Sequence, residues 1–234
     1  MFRTRPAVVA VVSLLAAAGA ASADTVEARF VGSGLHRTVQ VSGVANVTVH
    51  AGELIHEFRN GTGAAAGLTG QIRTFCTEVT QLVNSNWRVF DLVAPSNAPN
   101  PGPPMGDQKA LMLARLYDLA AGQQNTSADY AAAFQMMIWE IVYDFDAANA
   151  ATGNLSRTDG NIRFLSGDSH FGTVTTIFES LRTQLLAYNG VGVTNLAAIV
   201  NSGSQDQLLL IPLPTAGAMG LAGLGLVAAR RRRR

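Results

Sequence analysis

Ala131-Ala132-Ala133-Phe134-Gln135-Met136-Met137-Ile138-Trp139 is apolar at every position but one. Wound at 3.6 residues per turn, its side chains cover the whole circumference, which predicts a helix buried on most sides. The one polar residue, Gln135, has to find partners inside, since each unsatisfied buried group costs roughly 1–3 kcal/mol. Ser127 is placed to cap this helix, which runs to about Phe145. Two further helices flank it. One spans Asp107 to Ala121, capped by Asp107 and stopped at Gly122; the other runs from Phe171 to about Tyr188 and stops at Asn189-Gly190. In the last, Val174, Ile177, Phe178, Leu181, Leu185 and Tyr188 fall on one face.

Upstream of the helices the period changes from helical to alternating. Thr38-Val39-Gln40-Val41 and Val47-Thr48-Val49-His50 read as strands, Ala51-Gly52 punctuates, and Leu54-Ile55-His56-Glu57-Phe58 resumes. Asn60-Gly61-Thr62-Gly63 is a turn signal, Ala64 to Gly70 a small-residue loop, and Gln71 to Val83 a further strand. Pro95 to Gly106 holds five of the eight prolines and reads as a connecting loop. Val191 to Val200 and Gln207 to Leu210 can supply closing strands. Strands, then helices, then strands predict an α+β domain with a sheet or barrel part and a helical part. The body, residues 24–210, is long enough for one such domain, burying about 70% of its unfolded surface.

The chain has 234 residues, 48% hydrophobic and 14% charged, with 17 Lys and Arg against 16 Asp and Glu. Seven of the basic residues lie in the two tails, leaving the body 10 basic against 16 acidic residues. A body that is net acidic and charge-poor argues against nucleic-acid binding, which needs a basic face. Arg3 and Arg5, the apolar run Ala7 to Ala20 and the small residues Ala21-Ser22-Ala23 read as a secretory signal peptide over residues 1–23. Residues 211–229 form a 19-residue uncharged run followed by Arg230 to Arg234. That length suits a transmembrane helix whose arginines stay on the cytoplasmic side.

The single cysteine, Cys76, has no partner for an internal disulfide, which leaves an inert buried thiol, an intermolecular bridge or a reactive group. Phe75-Cys76-Thr77-Glu78, followed later by Phe134-Gln135-Met136-Met137-Ile138-Trp139-Glu140, resembles the thioester domain of bacterial surface proteins. The resemblance implies that Cys76 supplies the thioester sulfur and Gln135 the acyl group, with ammonia as the product lost. Phe75, Phe134, Ile138 and Trp139 would then shield the bond, Trp139 lying one turn beyond Gln135 on the same face. The chain departs from that family at Met137, where Ala is most often found, at Phe134, where Thr is common, and at Glu78, where Asp is usual. The tail after Leu210, with Ile211-Pro212-Leu213-Pro214, an apolar span and the arginines, resembles the PEP-CTERM sorting tail of Gram-negative bacteria. Leu213 stands where the motif of that family has Glu.

Together the two resemblances imply an exported protein at the cell surface or outside the cell. Its membrane insertion through residues 211–229 would be transient, and its partners would be the export and C-terminal sorting machinery. They also imply covalent attachment to an amine-bearing surface protein or matrix polymer, a single-turnover event rather than enzyme catalysis, with no cofactor. Two other classes remain open: a non-covalent structural or matrix protein in which Gln135 only packs, and a Cys-dependent hydrolase or transpeptidase. The last would need Cys76 beside His50, His56 or His170. His50, His56 and nearby acids have no recognised metal-ligand spacing, and Asp144, Asp146, Asn149 and Asp159 lack the EF-hand pattern.

Overall fold

A computed structural model of the chain describes residues 24–99, 102–149 and 153–212. The signal peptide expected over 1–23 and nearly all of the apolar run 211–229 lie outside the described residues. Among the described residues, no helix is long and apolar enough to cross a membrane. Seven strands form one antiparallel sheet: β1 (Thr25–Gly43), β2 (Val47–Arg59), β3 (Gly70–Cys76), β4 (Arg88–Val93), β5 (Ile162–Gly167), β6 (Leu196–Asn201) and β7 (Ser204–Leu210). Three helices accompany them: α1 (Gly106–Ala120), α2 (Ala128–Tyr143) and α3 (Phe171–Ala187). The mixed α+β architecture agrees with the sequence pattern.

The strand order is β2-β3-β7-β6-β4-β1-β5, and β1 also pairs with β2, so six of the strands close into a ring. β1 belongs to two neighbourhoods. Its start, Thr25 to Ala28, pairs with β4, whereas Val39 to Gly43 pairs with β5. Register shifts between Phe30 and Gly32 and between Ser33 and His36 bend it from one to the other, as bulges do. Opposite the second shift, Gly52 adopts φ +143°, and a Cβ there would run into the Leu35 carbonyl oxygen. The buried Glu53 carboxylate accepts a hydrogen bond from the Leu35 N–H at 3.0 Å across the same irregularity. Ala51-Gly52 is therefore a bulge site inside a continuous β2, and the break expected there is corrected.

Two cores result. Val26, Ala28, Phe58, Phe90, Ile199 and Leu209 form a small cluster inside the ring, joined by Ala65 of the short 3-10 turn Gly63–Gly67 and by Leu68, which follows it. The larger core lies between the sheet and the helices. α2 is buried from Ala131 to Val142 and touches β1, β2 and β3 as well as α1 and α3. Ser127 caps it as expected, its Oγ accepting the Tyr130 N–H. α1 departs from its expected start. It begins at Gly106 after Met105, which makes no side-chain cap, and Asp107 sits in the first turn, where its charge suits the helix dipole. The strand expected over Gln71 to Val83 ends at Cys76. β4, β5 and the first half of β1 were not anticipated.

Candidate functional site

β3 carries Cys76 to the place where it loses one neighbour. Its pairing with β2 runs from Gly70 to Thr74 and stops, while on the other edge Cys76 faces Gln207 of β7. The Cys76 peptide groups are completed by α2 instead. Cys76 N–H donates to Gln135 Oε1 at 3.0 Å, and Gln135 Nε2 donates to the Cys76 carbonyl at 2.8 Å. A carboxamide carries a donor and an acceptor side by side, so it can stand in for the missing strand. This is the partner that the buried Gln135 required. It also explains the early end of β3. The two residues singled out from sequence, on separate elements and far apart in the chain, meet in the fully buried interior.

The surroundings are aromatic. Phe75, Phe134 and Tyr117 pack edge-to-face around one another, with centroids 4.9 Å apart for Phe75–Phe134 and 5.0 Å for Tyr117–Phe134. Trp139 stacks on Phe164 at 6.0 Å and is buried, its indole N–H acting on the Cys76 thiol without completing a hydrogen bond of ordinary geometry. Ile138 is fully buried in the same core but does not border the open side of the site.

That open side is a cleft of about 570 Å³, with Cys76 and Trp139 against walls that include Phe30, Val49, Leu54 and Val83. Of the four residues expected to shield the bond, Trp139 is the one that lines this cleft; Phe75 and Phe134 pack with Tyr117 and do not line it.

Burial pushes the Cys76 thiol far above its ordinary range. The charge of Glu78 adds to that rise, while the Trp139 N–H opposes it. A cysteine kept neutral in this way differs from the low-pKa thiolates of hydrolases. Glu78 is itself buried, and burial raises its pKa against the hydrogen bonds it accepts from Thr80 Oγ1 and the Asp206 N–H. Tyr143 donates no bond to the pair, but its hydroxyl accepts the Val79 N–H at 3.3 Å just past Cys76.

The histidines do not join Cys76 in a dyad. His56 Nδ1 bonds Thr74 Oγ1 at 2.9 Å, and His170 faces Asp129 at 3.4 Å. His50 lines the cleft but stacks on His36 at 4.2 Å. Asp144 accepts the Asn161 and Ile162 N–H groups and so anchors the start of β5. Among the described residues, no group of three His, Cys, Asp or Glu is assembled to hold a metal ion. Lys109, the single lysine in the chain, donates from Nζ to the Val142 carbonyl at 2.6 Å, satisfying a terminal carbonyl of α2.

Sequence reasoning missed Tyr117, Tyr143 and the cleft walls. Tyr117 had one available signal, as the single aromatic on the buried face of α1. No family model, curated protein or solved structure matches the chain.

Proposed function

We propose that the chain is an exported surface or matrix protein that attaches covalently to amine-bearing partners through a Cys76–Gln135 thioester. The observation that carries this reading is the reciprocal hydrogen-bonded pair between the Gln135 carboxamide and the Cys76 peptide. The Cys76 N–H already points at Gln135 Oε1, the atom that gains negative charge when a nucleophile adds to the carboxamide carbon.

In the forming step, the Cys76 sulfur bonds to the Gln135 side-chain carbon. Glu78, whose charge acts on the thiol, takes the thiol proton, and the carboxamide nitrogen leaves as ammonia with that proton. In the capturing step, an amine attacks the same carbon and the carbon–sulfur bond breaks. The proton released by the amine goes to sulfur, leaving an amide and a Cys76 thiol. The sulfur is a far better leaving group than an amide nitrogen, and the bond is spent once. Burial on one side by Phe75, Phe134 and Tyr117 would keep water away from the waiting acyl group. The signal-like start and the sorting-like tail of the sequence support a setting outside the cytoplasm for this chemistry.

Intact mass tests it. Purified protein should be one ammonia lighter than its sequence, and methylamine should add to Gln135. A full-mass protein that ignores methylamine would return the chain to the second reading, a non-covalent structural protein. That reading has its own support, because the carboxamide is already fully satisfied as a cap on β3.

A further inference from the structure

The cleft over Cys76 carries information about the acceptor. None of its wall residues is Asp, Glu, Lys or Arg, and besides Cys76 the one ionisable wall group is His50. Partial burial first, and the neighbouring His36 second, hold the His50 pKa below its ordinary value. At neutral pH the cleft walls therefore present no fixed charge, Glu78 acting on the thiol from outside them. Its volume, about 570 Å³, lies in the range of small-molecule sites. Buried groups border it: Cys76, and Trp139, whose N–H acts on the thiol without completing a hydrogen bond of ordinary geometry. At the rim, Leu82 is 86% exposed, so apolar surface continues outward from Val83 and Val79.

We propose that the acyl acceptor is a primary amine at the end of an uncharged aliphatic stem, selected by these neutral walls. This rests on the thioester reading of Cys76 and Gln135. The stem buries its methylenes against Phe30, Val49, Leu54 and Val83, and the amine enters unprotonated because the walls it passes hold no carboxylate to compensate an ammonium. Its nitrogen bonds to the Gln135 acyl carbon, the bond to sulfur breaks, and the surplus proton moves to the Cys76 sulfur. Lysine side chains and free alkylamines share this chemistry.

The test is a rate series on the full-length protein, read by adduct mass on Gln135. Each rate is divided by the rate of the same amine with a simple alkyl thioester in solution. Pentylamine should then react on the order of ten-fold faster than methylamine, as expected from buried methylenes. Propylamine should lead diaminopropane, which has the same stem and a second charge, by a similar factor. Leu82→Glu, a change at an exposed position, should narrow that second gap. Blocked lysine tracking pentylamine would identify polypeptide side chains as the source; pentylamine reacting alone would identify small amines. Equal normalised rates across the series, in protein that is one ammonia light, would overturn the acceptor proposal and leave the thioester standing. Full-mass protein inert to every amine would remove both.

Discussion

The Gln135 side chain and the Cys76 peptide hold each other by two hydrogen bonds, of 3.0 Å and 2.8 Å, inside a core that excludes solvent. Stability and chemistry therefore depend on different atoms of the same pair. Cys76→Ser keeps both peptide bonds to Gln135, so its unfolding free energy should fall by less than about 1.5 kcal/mol. Gln135→Ala strands the Cys76 N–H and carbonyl and should cost roughly 2–5 kcal/mol. Both variants should show full mass and no methylamine uptake. Urea denaturation with intact-mass measurement checks the contrast, and an ammonia-light Cys76→Ser protein would break it.

Trp139 lines the cleft together with Cys76, and its N–H acts on the thiol that the proposed capture step would release. A hydrogen bond to a charged group contributes about 1.5–3 kcal/mol, so losing it at the departing thiolate should slow capture by roughly ten-fold or more. Trp139→Phe keeps most of the ring packing on Phe164. Methylamine uptake in protein that has formed the bond is the readout. An unchanged rate would reduce Trp139 to a shield.

Glu140 follows Trp139 on α2, fully buried, its carboxylate making no hydrogen bond of ordinary geometry and only weakly relieved by the Ser156 backbone. Burial, helped by the charge of Asp144, pushes its pKa up to about 10 from 4.5. The folded state then keeps a proton that the unfolded chain has released. Stability should decline as pH rises through the window from about 4.5 to about 10, by at most about 1.4 kcal/mol per unit. Glu140→Gln resembles the protonated acid and should flatten this decline, overtaking the wild type in denaturation midpoint on the alkaline side. Parallel pH profiles would show Glu140 ionised in the fold.

His56 works at the other end of the scale. Burial lowers its pKa to about 4, and its Nδ1 is engaged with Thr74 Oγ1. Below pH 6.5 the unfolded chain takes up a proton that the folded one refuses, so stability should fall as pH drops from 6.5 towards 4. NMR titration should find this ring neutral until about pH 4. A transition near 6.5 would contradict the burial described.

The sequence disclosed what depends on local period and residue type, and obscured what depends on long-range pairing. α2 was legible because its apolar residues leave no wet face, and Ser127 because a cap is local chemistry. The first half of β1 was not, because two bulges between Phe30 and His36 break the alternation that marks a strand. β4 and β5 are each six residues long, and their burial alternates only over Val89-Phe90-Asp91 and Ile162-Arg163-Phe164. The end of β3 was hidden for a different reason. The alternating pattern continues past Cys76, but the neighbour that would extend the ladder has been replaced by Gln135. Cys76 and Gln135 stood out as unusual residue types. Phe30, Val49 and Leu82 line the same cleft from separate segments, and nothing in their local sequence announces that meeting.

Lys109 gives the last consequence. The chain holds one ε-amine, and that amine is engaged with the Val142 carbonyl. Identical copies crowded side by side thus have little to offer one another, because using the single lysine means breaking its bond to the Val142 carbonyl. On the proposed thioester reading, stocks of the protein should keep without knitting into oligomers, their reactivity reserved for foreign molecules.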